Sequence, residues 1–394
     1  MKNGAAERRR AMVSAFRRRK SLRKVAAQFG VAPGTVRYWV QRAAGRRLDR
    51  VDWEDRSRAP RCTQRTSAAL ERKILAIRRR LKQRSALGEH GAVAIHRELQ
   101  AQKITPCLSV RTIGRVLQRN GVLDGRKRVR RPAPLRGWYL PEVAAERAEL
   151  DSFDTIEGLA IRGDSHVTVL TGISLHGGLP TVWPDRSISS RSVVQSLVEH
   201  WREVGLHAYC QFDNDNRFCG PKQFADVIGR VSRLCLGLAV CPVFVPPNET
   251  GFHAAIESLN GRWQIGVWSR FEHRSLRGLK NRSARYVIAA RQKYAARIEA
   301  APSRRPFPKR WRLNLQKHPQ GTLIYIRRTN DRGQVSMLGH QFLVDRNWVH
   351  RLVRAEVHLK AGKTNFYALR RREPTEQPLL NTTPYELPKR PFKE

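Results

Sequence analysis

Three carboxylates have the types and placement that could do chemistry together: Asp151, Asp213 and Glu257. Asp151 lies in a strand-like run, Leu150–Thr155. Asp213 closes another, in Gln211-Phe212-Asp213-Asn214-Asp215-Asn216-Arg217-Phe218. Glu257 sits early in a long helical stretch, in Ala254-Ala255-Ile256-Glu257-Ser258-Leu259-Asn260. Two strand carboxylates can stand side by side in a sheet, and a neighbouring helix can bring in a third. Phosphodiester cleavage or transfer uses such a group to hold two divalent ions about 3.5–4 Å apart. Mg²⁺ is a hard ion that prefers carboxylate oxygens. Without metal, three acidic groups at one point repel one another, so they are costly unless they serve a function. Asp154, three residues after Asp151, is the alternative first member, and Asp215 reads as a turn residue.

These residues need a scaffold, and the patterning supplies one. Strands are expected at Leu150–Thr155, His166–Ser174, Leu179–Trp183, His207–Phe212 and Val240–Val245. Helices are expected at Ser190–Val204, Gln223–Leu236 and Phe252–Phe271. Three strands followed by alternating helices and strands describe a mixed α/β sheet with helices on both faces. Short strands separated by turns then return between residues 323 and 369, and read as a small antiparallel barrel.

The flanks of this block differ from it in charge. The chain has 394 residues, 76 Lys+Arg and 33 Asp+Glu, a net charge of +43. Residues 1–140 carry +28, residues 141–280 carry −2 and residues 281–394 carry +17. Arg outnumbers Lys 60 to 16, which favours bidentate phosphate contacts. A polyanionic partner follows, with a near-neutral, carboxylate-rich centre between two basic regions. The 40% hydrophobic content excludes a wholly disordered polycation. No run of apolar residues is long enough to span a membrane and no secretory signal is seen, so no membrane partner and a cytoplasmic, nucleoid-associated location are expected. Six scattered cysteines without CxxC spacing fit reduced thiols.

The basic flank contains two helical pairs. Leu22, Val25, Ala26 and Phe29 recur at helical spacing, Gly30 suits a tight turn, and Pro33 suits the first turn of the next helix. In that helix Val36, Trp39 and Val40 face inward. Gly34, Arg37, Tyr38 and Gln41 share the other face, where base edges would lie in a helix-turn-helix. A second such pattern places Ile113, Val116 and Leu117 inside and Thr112, Arg115 and Arg119 outside. Arg126, Lys127, Arg128, Arg130 and Arg131 read as a phosphate-tracking tether.

The order Asp, then Phe-Asp-Asn with Phe218 shortly after, then Glu-Ser-Leu-Asn on a helix, resembles the retroviral-integrase-like DDE transposases of bacterial insertion sequences. The resemblance covers nearly the whole chain. It implies a multidomain α and α/β protein: N-terminal helix-turn-helix modules, an RNase H-like α/β catalytic core and a small C-terminal β-barrel. The divisions expected are a helix-turn-helix domain at 1–46, a linker at 47–66, a second helix-turn-helix or winged-helix-like domain at 67–123 and a basic linker at 124–145. The core follows at 146–280, a basic helix and linker at 281–320, the barrel at 321–371 and a tail at 372–394.

The resemblance assigns the triad, as metal ligands and catalytic groups, to Asp151, Asp213 and Glu257. It implies Mg²⁺ or Mn²⁺, two ions, cleavage at transposon DNA ends and strand transfer into target DNA. It also implies a homo-multimer that holds double-stranded DNA. The chain departs from the family pattern in two places. Asp215 replaces the usual Gly, and 43 residues separate Asp213 from Glu257 where the family often has about 35. Glu249 satisfies that shorter count, but Glu257 carries the motif and the helix, and loops absorb insertions. Residues 1–140 lack the spacing of the retroviral His-His-Cys-Cys module, so no zinc is expected. The alternative function is a catalytically inactive, sequence-specific DNA-binding regulator derived from such an enzyme.

Overall fold

The computed structural model describes residues 3–19, 21–56, 65–123, 125, 135–161, 166–221, 223–249 and 251–393. The chain divides into two compact units, Met1–Ser67 and Ala68–Glu394.

The first unit packs three helices, α1 (Asn3–Arg19), α2 (Leu22–Phe29) and α3 (Pro33–Arg42). Ser21 caps α2 by accepting from the Lys24 amide, and Gly30 ends it at φ 59°, a left-handed conformation natural to glycine. Val25, Ala26, Val36 and Trp39 meet Met12 and Val13 in the core. Residues 47–56, expected as linker, join this core. Val51 is buried, and Trp53 lies 6.0 Å from the Trp39 ring, its indole N–H donating to Leu48 O. Arg42 fixes the segment through Asp52 at 2.6 Å, and Arg9 and Arg42 cover Trp39 at 4.6 and 4.9 Å.

The second unit opens with another three-helix cluster, α4 (Ala68–Arg84), α5 (Ala92–Ala101) and α6 (Val110–Arg119). Ile74, Ile77, Ile95, Leu99, Ile113, Val116 and Leu117 form its interior. It seats on the rest of the unit at Gly88, where an added Cβ would come within 2.9 Å of Gly266 Cα. Lys293 fixes the seat through Glu89, as does Arg270 by donating to Lys82 O.

A short helix, α7 (Pro141–Ala144), precedes the sheet. Its strands are β1 (Leu150–Ala160), β2 (His166–Ser174), β3 (Pro180–Asp185), β4 (Tyr209–Phe212) and β5 (Cys241–Phe244). Between and after them come α8 (Ser190–Val204), α9 (Asn216–Cys219), α10 (Arg230–Gly237) and α11 (Ala254–Trp263). A π-helical turn, Gln264–Trp268, follows α11 and leads to α12 (Leu276–Lys293) and α13 (Ala295–Glu299). The C-terminal strands are β6 (Thr322–Arg328), β7 (Gln334–Met337), β8 (His340–Leu343), β9 (Leu352–His358), β10 (Lys363–Ala368) and β11 (Leu379–Pro384).

Nine strands form one mixed sheet in the order β11-β10-β9-β6-β5-β4-β1-β2-β3, and β7 pairs with β8 separately. β1, β4, β5 and β6 run parallel, and the remaining pairs are antiparallel. Side chains alternate between faces. Leu170 enters a core with α8 and α10, while its neighbour Val169 enters one with α11 and α12.

The C-terminal strands therefore extend the central sheet where a separate small barrel was expected. The reason lies in β6. Leu323, Ile324, Tyr325 and Ile326 are all buried, so both faces of the strand are covered, as in a central strand. It pairs with β5 on one side and β9 on the other. The expected tail likewise contains β11, the edge strand.

Candidate active site

Parity along β1 decides which carboxylate faces which helix. Residues an odd number apart point to opposite faces of a sheet. Phe153 belongs to the core under α8, so Asp151 shares that side. Ile156 belongs to the core under α11, so Asp154 shares that one.

Asp151 is accordingly buried away from α11. Arg304 grips it with two hydrogen bonds of 2.6 and 3.0 Å, and His207 Nδ1 stands 3.0 Å from its Oδ2. Burial alone would raise this carboxyl, but the charges of His207 and Arg304 hold it well below the usual carboxylate range. The structure thus separates Asp151 from Asp213 and Glu257 and uses it to tie the 301–312 segment to the sheet.

Asp154 faces α11. Its Oδ2 accepts from Asn260 Nδ2 at 2.8 Å, and its Oδ1 from the Thr155 amide at 2.8 Å. Thr171 on β2 donates to Asn260 Oδ1 at 2.7 Å, so one amide side chain joins β1, β2 and α11. Asn260 lies three residues after Glu257, on the same side of the helix. β1 and β4 pair with Ser152 opposite Gln211, and continuing that register brings Asp154 level with Asp213. The Asp154 carboxyl is pushed up to about 6, first by burial and then by the negative charges of Asp213 and Glu257. These three carboxylates share one electrostatic neighbourhood. Among the described residues, no three His, Cys, Asp or Glu side chains are gathered closely enough to hold a metal ion as they stand. The donors are nonetheless hard carboxylate oxygens, the set a divalent cation of the Mg²⁺ or Mn²⁺ kind prefers.

The surroundings of the site are polar and well ordered. Asp213 Oδ1 accepts from the Asp215 amide at 3.0 Å. Asp215 caps α9 and pairs with Arg217, which also reaches Glu157 at 2.7 Å. Asn214 receives Arg327 at 2.7 Å, and burial lowers that guanidinium to about 10. His253 stands at the start of α11, and its Nε2 is buried without a hydrogen-bond partner. Burial lowers its pKa against the pull of Asp213 and Glu257. Glu249, the position that fits the shorter spacing, pairs with Arg328 and Arg371.

Asn260 enters the sequence reading only as the last residue of the Glu-Ser-Leu-Asn motif, with no role assigned, and His253 and the Arg304–Asp151 pair have no part in it. Asn260 could have been found from its position one turn after Glu257. His253 could have been found from its position one turn before. Arg304 lies 153 residues from Asp151, and no local pattern links them.

The positions expected to meet DNA sit as follows. Gly34, Arg37, Tyr38 and Gln41 are exposed on α3, with Tyr38 46% exposed. On α6, Arg115 is exposed, Thr112 shares the Ser109 cap and Arg119 pairs with Glu71. Arg126, Lys127, Arg128, Arg130 and Arg131 lie outside the described residues.

No family model and no curated protein matches the sequence. Solved structures that match include the following two. A simian T-cell lymphotropic virus intasome, solved in complex with PP2A regulatory subunit B56 gamma, has 14% identity and a TM-score of 0.32, covering 70% of this chain and 88% of that one. The catalytic core domain of BIV integrase has 10% identity and a TM-score of 0.27, covering 36% of this chain and 81% of that one. Among the described residues, no helix is long and apolar enough to cross a membrane.

Proposed function

We propose that this chain is a metal-dependent DNA-processing enzyme of the transposase and integrase type, with Asp154, Asp213 and Glu257 as its working carboxylates. The observation that carries this reading is the shared field of the three. They come from β1, the end of β4 and the first turn of α11, and burial, joined by the negative charge of Asp213 and Glu257, lifts the Asp154 carboxyl. Asp154 replaces Asp151 as first member, because Asp151 is spent on Arg304.

Two divalent ions, Mg²⁺ or Mn²⁺, would be held by these carboxylates and would supply water activation and neutralisation of the phosphate charge. The protein's own groups do the rest. Asn260 orients Asp154, and Asp215 fixes the turn that carries Asp213. The α2–α3 pair is read as a helix-turn-helix that selects DNA ends through Arg37, Tyr38 and Gln41. The α5–α6 pair is read as a second, through Thr112 and Arg115. Strand transfer by two ends implies a multimer on DNA. The reaction needs no covalent protein–DNA intermediate.

The test is incubation of the full chain with duplex DNA carrying the flanking sequences of its own gene, with Mg²⁺ or Mn²⁺. Cleaved ends with free 3′-hydroxyls and joined products are expected. Asp213→Asn and Glu257→Gln should abolish both while leaving DNA binding intact. Specific binding without any cleavage in either metal would favour the inactive regulator instead.

A further inference from the structure

We propose that a second cleft, built by the C-terminal strands, holds the phosphodiester backbone of a DNA strand leading to the carboxylates. The cleft has a volume of about 700 Å³, and its polar lining is Arg328, Arg351, Arg370, Arg371 and Arg372 with His350 and one carboxylate, Glu373. All five arginines are exposed. Its floor includes Trp348, Leu352 and Leu369, all buried.

Four of the five arginines, Arg328, Arg351, Arg370 and Arg371, are held in place rather than left to sweep through solvent. Arg351 lies over the Trp348 ring at 4.7 Å and Arg370 at 5.7 Å. Glu249 binds both Arg328 and Arg371, the latter at 3.1 Å. Arg328 also donates to the carbonyl of His350, a residue at φ 52° that turns the chain back into the cleft. Glu373 and Glu376 both pair with Arg370, each at 3.3 Å. No carboxylate among the described residues pairs with Arg351 or Arg372. Arg351, held over Trp348 with its charge unspent, is preorganised to bind phosphate oxygens bidentately, and the exposed Arg372 adds a second free charge.

Position selects the ligand. The cleft sits where β6 ends, β9 begins and β10 ends, with Arg328 opposite Leu352. β4, β5 and β6 run parallel, so this is the edge of the sheet at which Asp213 follows β4. At ~4.8 Å per strand, two to three strand widths put the cleft roughly 10–14 Å from Asp213 along that edge. That is about three to four nucleotide steps at ~3.4 Å each. Arg328 has the parity of Ile324 and Ile326, the face that Asp213 also shares, whereas its neighbour Arg327 points to the other face and donates to Asn214. Because β6 joins both halves of one sheet, cleft and carboxylates keep a fixed separation. The route toward the carboxylates rests on the function proposed above. The phosphate site itself does not.

The experiment measures binding of the full chain to a fluorescein-labelled random-sequence duplex by anisotropy across a salt series. The variant is Arg351→Ala with Arg372→Ala, which breaks no ion pair. Loss of two phosphate contacts should make the slope of log K against log salt shallower by about 1.8 and weaken binding roughly tenfold at physiological salt. The corresponding double Lys variant should restore most of the slope. A slope and affinity equal to the parent's, in a variant with unchanged melting temperature, would overturn the proposal. Parent-like cleavage by Asp213→Asn would instead refute the active-site reading and leave the cleft standing.

Discussion

Asp151 and Asp154 are three residues apart on one strand, yet removing their charges should change stability in opposite directions. In the metal-free chain the Asp154 carboxyl titrates near 6 instead of 3.8. Its folded value exceeds its unfolded value, so the native state binds the proton more tightly. That advantage is full below about pH 4 and is lost as pH rises through about 6. At about 1.4 kcal/mol per pKa unit, the ionised group costs on the order of 3 kcal/mol near neutral pH. Asp154→Asn removes the charge and keeps a carbonyl for Asn260. It should therefore stabilise the 68–394 unit by roughly 2–3 kcal/mol at about pH 7, with the gain gone below about pH 4. Asp151 has the reverse sign. Its folded pKa is depressed, so its contribution is present above about pH 4 and is lost on acidification. Asp151→Asn leaves the Arg304 guanidinium without its counter-charge, and breaking such a buried pair costs about 3–5 kcal/mol. Calorimetry on both variants in the presence of chelator, at acid and neutral pH, reads the two shifts. Destabilisation of both variants alike at neutral pH would refute the reasoning, because Asp154 would then be a structural carboxylate like Asp151.

Other substitutions probe single contacts. Asn260→Ala removes the amide that joins Asp154 to Thr171, and metal-dependent cleavage should fall at least tenfold with DNA affinity unchanged. Gly88→Val places a side chain against Gly266 at a positive φ, and should loosen the α4–α6 cluster from the sheet, seen as faster amide exchange at Glu89 and Lys293. Tyr38→Ala on the exposed face of α3 should weaken sequence-specific binding while leaving the melting temperature within about 1–2 °C, since surface substitutions change stability little.

Much of the scaffold is legible where one periodicity rules. His166–Ser174 and Ser190–Val204 have the bounds their patterns predict. Legibility fails where tertiary contacts override pattern. Residues 47–56 have no period because Trp53 and Val51 are anchored individually to the first unit's core. The stretch at 223–236, expected as one helix, is a loop followed by α10. β11 is an exposed edge strand without an apolar rhythm, so its composition reads as tail. Motif alone singles out Asp213 and Glu257 as candidates, but whether Asp151 or Asp154 shares their face depends on which face of β1 meets α11. Ile156, two residues beyond Asp154, carries that information only once its partners Ile256 and Leu259 are known. The partner that occupies Asp151 lies 153 residues away. Nothing local to either residue could reveal it.

Asp154, Asp213 and Glu257 are the residues proposed to hold the divalent ions. Mn²⁺ binding to the full chain, followed by electron paramagnetic resonance, tests this without relying on activity. Saturable Mn²⁺ binding is predicted for the parent, weakened at least tenfold in Asp154→Asn and in Asp213→Asn, and retained by folded Asp151→Asn. Loss of Mn²⁺ binding in folded Asp151→Asn with retention in Asp154→Asn would contradict the account.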